Sequence, residues 1–326
     1  MTLRLFTADD IRRILPMPVA TDVMREAFSA LYRGEVQVPP RVEVPVEAHH
    51  GVALVMPAAS AAFGYMTVKL ASVFRNNPAL DLPTVHALVL AMDAATGVPV
   101  ALVEGTYLTA LRTAAASGVA MDLLAPTDAN VGALFGTGAT AHTHLDAMLA
   151  VRNLETVWVF GSSPEKAQAF VAARQRSVTA QLRAADAPER LAEADLVCTA
   201  TSARTPVFAD VHLKPGCHIT AIGAFQPDAH EIPVQTVVRS RVVVDQREAA
   251  LAEAGDLLIP IAHGRIDATH ILAELGELLA APRTLRAHPS DITLYKSVGL
   301  AVQDLAMVAA LMEHAAGHAP LHTVAL

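Results

Sequence analysis

The spacing of apolar and polar positions changes character twice along the chain. In "TDVMREAFSALYRG" (21–34), Val23, Ala27, Phe28 and Leu31 recur at helical spacing, which predicts a helix capped at Thr21 or Asp22 and stopped at Gly34. The next stretch reads as strands: "RVEVPVE", "GVALVMPA", "YMTVKLASVF", "TVHALVLAMD" and "PVALVEG". "DAATGVP" between the last two is a hairpin turn, so this region predicts an antiparallel sheet. A long helix of small residues, "LTALRTAAASGVAMDLLA", follows. After Pro126 the rhythm becomes strand–helix alternation: "NVGALFGTG", "ATAHTHLDAMLAVR", "TVWVFGSS", "SPEKAQAFVAARQ", then strands at "ADLVCTATS", "HITAIGAF" and "RVVVDQ". Such alternation predicts parallel βαβ units. The tail, "DITLYKSVGLAVQDLAMVAALMEHA", predicts a short strand and a long amphipathic helix that can return to the first region.

The strand-to-helix junction "FGTGATA" holds Gly136, Thr137, Gly138, Ala139 and Ala141 in a GxGxxA pattern. The first glycine permits a tight turn, the second lets the backbone approach a pyrophosphate, and Ala141 is small enough for close helix–strand packing. The helix N-terminus adds N–H donors and positive dipole, so dinucleotide binding is expected of a Rossmann-type domain. The next strand ends "VWVFGSS", with no acid before Glu165 to take a ribose 2′-hydroxyl. Ser162, Ser163 and Lys166 suit a 2′-phosphate instead, which favours NADPH, with NADH as the other reading. The plain structural alternative is that Ser163 caps the following helix and Lys166 is solvated.

Composition narrows the partners. The formal charge is −8, basic blocks are absent and aromatic residues make up 4%, which disfavours nucleic acid and anionic membranes. No apolar run approaches the roughly 20 residues that span a bilayer. "MTLRLFTADD" makes a poor signal peptide, and Cys198 and Cys217 read as buried thiols of a reducing cytoplasm. The 14 histidines form no HExxH motif, and no metal is expected.

Against that acidic background three cations stand out. Lys69 lies in the apolar "YMTVKLAS", Arg112 in the small-residue "LTALRTAAAS", and Arg41 follows Pro39-Pro40. Each has an ordinary reading: Lys69 facing solvent, or Arg112 paired with Glu104 or Asp122. Together they suggest a carboxylate cradle, because the guanidinium fork matches a carboxylate, and a lysine in apolar surroundings suits proton transfer.

With these residues in view, the chain resembles the ornithine cyclodeaminase/mu-crystallin family. The resemblance rests on "LVMPA" (54–58), Lys69, "LPT" (82–84), "DAATGVPVALVEGTYLTALRTAAASGVA" from Asp93, "FGTGATA" and "YKSVGLAVQDLA" from Tyr295, in the family's order and over nearly the whole chain. It implies an α/β protein of two parts. Residues 1–118 with 296–326 would form an α+β substrate and dimerisation domain, and 119–295 a Rossmann domain, in a homodimer made through the first domain's sheet. Arg41, Lys69 and Arg112 would hold the substrate carboxylate, with Lys69 as proton donor and Thr84 near the substrate or nicotinamide. Ser297 and Gly299 would close over the nicotinamide, and Thr199, Ala200 and Gly223 would complete the cofactor's surroundings.

The family's common chemistry is hydride exchange at a carbon bearing nitrogen and carboxylate. Its cyclodeaminases carry a Gly-Gly-Asp triplet where this chain has Gly223-Ala224-Phe225, in "AIGAFQPDAHE". That Asp handles the amine of ornithine, and Phe225 cannot. The loop resembles the reductase branch, so the expectation is reduction of a small cyclic imino acid, Δ1-pyrroline-2-carboxylate or its six-membered analogue, to L-proline or L-pipecolate. Ornithine cyclodeamination, alanine dehydrogenation and a non-catalytic binding role are the alternatives. Asp228 and Glu231 in the same loop fit a capping box ahead of a helix, with a substrate or proton-relay role for Asp228 as the other reading.

Overall fold

The computed structural model describes residues 2–74, 76–315 and 322–325. In chain order the elements begin β1 (Thr2–Phe6), α1 (Ala8–Ile14), α2 (Met17–Tyr32), β2 (Val42–Val46), β3 (Gly51–Ser60), β4 (Tyr65–Phe74), β5 (Val85–Asp93), β6 (Pro99–Glu104) and α3 (Gly105–Leu124). They continue β7 (Val131–Phe135), α4 (Ala139–Val151), β8 (Thr156–Phe160), α5 (Pro164–Arg174), β9 (Gln181–Ala184), β10 (Leu196–Thr199), β11 (His218–Ala221), α6 (Val234–Arg239) and β12 (Arg241–Val244). Last come α7 (Arg247–Glu253), α8 (Gly255–Ala262), β13 (Ile271–Glu274), α9 (Leu275–Ala280), β14 (Thr293–Lys296), α10 (Ala301–His314) and β15 (Thr323–Ala325).

The chain divides into two compact units, 1–113 with 300–326, and 114–299. The divisions fall within α3 and after Gly299, a few residues from the 118/119 and 295/296 boundaries expected from sequence. Residues 1, 75, 316–321 and 326 of the expected first domain lie outside the described residues.

The first unit is a seven-stranded mixed sheet, ordered β15-β1-β6-β5-β4-β3-β2. Its β2-to-β6 part is an antiparallel meander, as the alternating pattern predicted. One face is covered by α10, which packs on β3, β4 and β5 and also on α2. For this reason α10 departs from its amphipathic expectation. Every residue from Ala301 to Val308 is buried, including Gln303 and Asp304, because the helix lies between a sheet and another helix. The α2 helix begins earlier than predicted. Pro16 precedes it and Pro18 occupies its first turn, where the missing N–H costs nothing. Thr21 is therefore an interior helical residue, its hydroxyl donating to the Met17 carbonyl at 2.9 Å.

The second unit is an eight-stranded sheet, ordered β13-β12-β14-β11-β10-β7-β8-β9, and every pairing in it is parallel. The order reverses at β7/β10, the topological switch point at which such sheets bind ligands beyond their strand C-termini. The strand interiors are apolar on both faces, as burial on both sides requires. Cys198 and Cys217 are buried and free. Among the described residues, no helix is long and apolar enough to cross a membrane.

Candidate active site

In the first unit the site is built around Lys69. The β ladder sets Lys69 between Met56 and Val89, on the face that meets α10, and leaves it 1% exposed. The solvent-facing reading of this lysine is therefore wrong. Its Nζ donates to Asp304 Oδ2 at 2.7 Å. Asp304 sits in the first turn of α10, where the helix dipole favours a negative charge. Arg112, also buried, places Nε 3.7 Å from the other Asp304 oxygen and donates through Nη1 to Gln303 Oε1 at 2.5 Å. The same Gln303 oxygen accepts from Leu300 N, closing the start of α10. The expected Arg112 partners are engaged elsewhere: Asp122 with Arg152, and Glu104 with the Thr106 and Tyr107 amides.

Burial first, then the Arg112 charge, lower the Lys69 ammonium from its ordinary value. Asp304 opposes them, Arg41 adds to the depression, and the result is about 8. Lys69 is thus an amine able to give or take a proton near neutrality, in surroundings where guanidinium charges gather. That is the setting a substrate carboxylate requires. Thr84 lies at the far end of the β4/β5 ladder, where its carbonyl accepts from Phe74 N at 2.8 Å.

In the second unit the strand-to-helix junction has the form that a dinucleotide needs. Gly136 has φ +112°, and a Cβ there would lie 2.3 Å from the Ala200 carbonyl oxygen, so only glycine fits. Gly138 caps α4 in extended conformation, yet a Cβ on it would meet no protein atom within 4 Å. Its bareness is not demanded by the protein's own packing and leaves the backbone open to a phosphate. Thr137 lies between the two glycines, Ala139 is the first residue of α4, and Ala141 is fully buried. Beside the junction, the rings of Phe135 and Phe160 stack at 4.2 Å and Phe208 tilts against Phe135 at 5.6 Å. With Ala185, Asp186, Pro188 and Val207 they line a cavity of about 200 Å³. After β8, Ser163 does cap α5, accepting from Lys166 N, while Lys166 Nζ reaches back to Ser162 Oγ at 3.2 Å.

Other expected cofactor residues turn their polar groups inward. The Thr199 hydroxyl and the Gly223 amide donate to Glu231 at 3.0 and 2.6 Å, and the Ala200 carbonyl faces Gly136. Ser297 Oγ and the Val298 and Gly299 amides all donate to buried Asp245, at 2.8, 2.9 and 2.8 Å. Phe225 is partly buried against the apolar cluster that runs from β7 through β11 to β12.

The capping-box reading of Asp228 fails. Pro233 holds the chain extended before α6, which begins only at Val234 and has no side-chain cap. Asp228 is exposed and pairs with Arg204, whereas Glu231 is wholly buried. No cluster of three or more His, Cys, Asp or Glu among the described residues could hold a metal ion.

The ornithine cyclodeaminase/mu-crystallin family model matches residues 4–319. The chain belongs to that family. It is 36% identical over 314 residues to the Δ1-pyrroline-2-carboxylate reductase of Bacillus cereus, covering 95% of each chain. Among solved structures it is similar to Thermococcus litoralis Δ1-pyrroline-2-carboxylate reductase in complex with NADH and L-proline, with TM-score 0.95, 36% identity and coverage of 99% and 100%. An archaeal alanine dehydrogenase dimer with bound NAD matches with TM-score 0.91, 30% identity and coverage of 100% and 99%. In this member of the family, sequence reasoning missed Asp304, Gln303 and the Phe135/Phe160/Phe208 cavity. The one available signal for the cavity was that aromatic residues end two consecutive strands ahead of glycine.

If Lys69 must be protonated to act, kcat/KM holds below about pH 8 and falls as pH rises through that value. Asp304→Asn removes the group that raises the lysine's pKa, so the alkaline limb should move down by about 1 pH unit or more. A pH–rate profile of the variant with its limb still near 8 would refute this linkage.

Proposed function

We propose that this protein reduces small cyclic imino acids with a nicotinamide dinucleotide, converting Δ1-pyrroline-2-carboxylate to L-proline and accepting the six-membered ring to give L-pipecolate. The observation that carries the choice within the family is Phe225. At the position where cyclodeaminases of the family carry an aspartate, this loop presents an apolar ring packed on the core of the second unit. An ornithine side-chain ammonium would be desolvated without a partner, which is costly. A flat cyclic imine has no second ammonium to desolvate.

In this reading Arg41 and Arg112 bind the carboxylate, and Lys69 supplies the proton to the imine nitrogen while Asp304 holds the amine in place. Gly136, Thr137, Gly138, Ala139 and the N-terminus of α4 hold the pyrophosphate, and the phenylalanine cavity takes the adenine. The nicotinamide, when bound, supplies hydride to the carbon that bears nitrogen and carboxylate. NADPH is the favoured form, because Ser162 and Lys166 sit together after β8. The Thermococcus relative binds NADH, so both forms belong in the assay.

The test follows NADPH and NADH oxidation with the five- and six-membered imino acids and with pyruvate plus ammonia, using ornithine as control. Rapid imine reduction, higher kcat/KM with NADPH and no ammonia from ornithine are expected. Ammonia release from ornithine without imine reduction would overturn the assignment.

The same reading includes a homodimer through the first unit's sheet. Val42, Val55, Leu70 and Leu88 are register partners across β2, β3, β4 and β5, forming one apolar row. Val42, Leu70 and Leu88 are 56%, 53% and 51% exposed in the single chain, and burying the remaining half of each would contribute about 1 kcal/mol. Light scattering should give twice the 34.3 kDa chain mass for the parent and a monomer for Leu70→Asp. A monomeric parent, or a variant that stays dimeric, would rule out this sheet face as the dimer interface.

A further inference from the structure

The C-terminal edge of the second unit's sheet is a run of close backbone approaches. Gly136, after β7, lies against the Ala200 carbonyl after β10. Gly223, after β11, lies where a Cβ would come 2.2 Å from the Thr201 carbonyl and 2.6 Å from Glu231 Oε1. Three neighbouring loops therefore approach backbone to backbone, and glycine is required at both contacts.

Glu231 joins two of these loops. Its Oε1 accepts from Thr201 N at 2.9 Å and Thr201 Oγ1 at 2.7 Å. Its Oε2 accepts from Thr199 Oγ1 at 3.0 Å and Gly223 N at 2.6 Å. A second buried pair holds the flanks. Lys296, the last residue of β14, donates to the Ala224 carbonyl at 2.5 Å and lies 2.8 Å from Asp256. Asp256 Oδ1 accepts from the Glu231 and Ile232 amides at 2.8 and 2.9 Å. The backbone is thus fixed on both sides of Phe225.

Three ionisable side chains buried together are a costly way to fix a loop, since apolar packing would hold it without desolvating charge. Their place suggests what the cost secures. The order reverses at β7/β10, the pyrophosphate junction follows β7, and the ring cavity lies toward β8 and β9. A dinucleotide laid across this edge puts its other half over the ends of β10 and β11. We propose that Glu231 is a positioning residue for the nicotinamide half: its carboxylate sets the spacing of the 199–201 and 223–225 segments without touching the cofactor. This rests on the dinucleotide reading above.

Glu231→Gln replaces one accepting oxygen with an amide that cannot accept; the threonine hydroxyl on that side can turn to accept from it, but the backbone N–H there, of Thr201 or Gly223, is left opposed. We expect ADP, a probe of the adenosine half, to bind within threefold of the parent by calorimetry, even where the opposed donor lowers the melting temperature. NADH affinity by fluorescence should fall tenfold or more, and kcat should fall with a larger primary isotope effect from 4-deuterated NADH. Thr201→Val, which removes one hydroxyl donor and keeps the amide, should show the same pattern at smaller size, and it decides the matter if Glu231→Gln does not fold. ADP and NADH weakening together, or neither changing, would overturn the proposal. Both affinities are read without any imine, so a wrong substrate assignment leaves this result standing. A parent that binds neither ADP nor NADH would sink the dinucleotide reading and this proposal with it.

Discussion

The ion pair between Lys69 and Asp304 is the contact on which the first unit turns. A lysine in the middle of an apolar strand, facing inward, keeps its charge near neutrality only with a carboxylate partner, because an unpaired buried ammonium costs several kcal/mol and gives up its proton. That carboxylate comes from a helix 235 residues further along the chain. The requirement ties α10 to the sheet, makes α10 buried along its first two turns, and brings Gln303 beside Arg112. The same constraint tunes the chemistry. Burial and the arginines depress the lysine, Asp304 restrains the depression, and the amine is left titrating near neutrality.

The second unit solves a related problem with different groups. Its parallel sheet is apolar on both faces, and two fully buried carboxylates lie beyond the strand C-termini. Asp245 gathers the hydroxyl and amides of 297–299, and Glu231 gathers those of 199–223. In both cases a buried carboxylate is satisfied by several donors, as a buried acceptor must be. The effect is to hold irregular backbone still at the edge where an α/β sheet binds ligands.

What the chain made readable depends on how local each signal is. The strand–GTG–helix junction is a contiguous pattern and is found where it was expected, as is the β2-to-β6 meander. Lys69 was conspicuous as a charge in an apolar strand, but Asp304 was not, because an aspartate in a helix reads as solvent-facing until the helix's neighbours are known. The strands "TLRLF", "QLRA" and "ILAE" are short and carry charged residues, so periodicity does not mark them. In "DAHE" a local cap spacing pointed to Asp228, while Pro233 displaced the helix start and burial selected Glu231. The local rule was outweighed by tertiary contacts that sequence spacing does not encode.

Whether Lys69 is a buried amine titrating near neutrality beside Asp304 can be measured directly. The chain has four lysines, Lys69, Lys166, Lys214 and Lys296, so the side-chain signals of lysine-labelled protein can be assigned with Lys69→Met and followed by NMR across pH. The Lys69 signal is expected to titrate near 8. A Lys69 signal that titrates at the ordinary lysine value of 10.5 would contradict it.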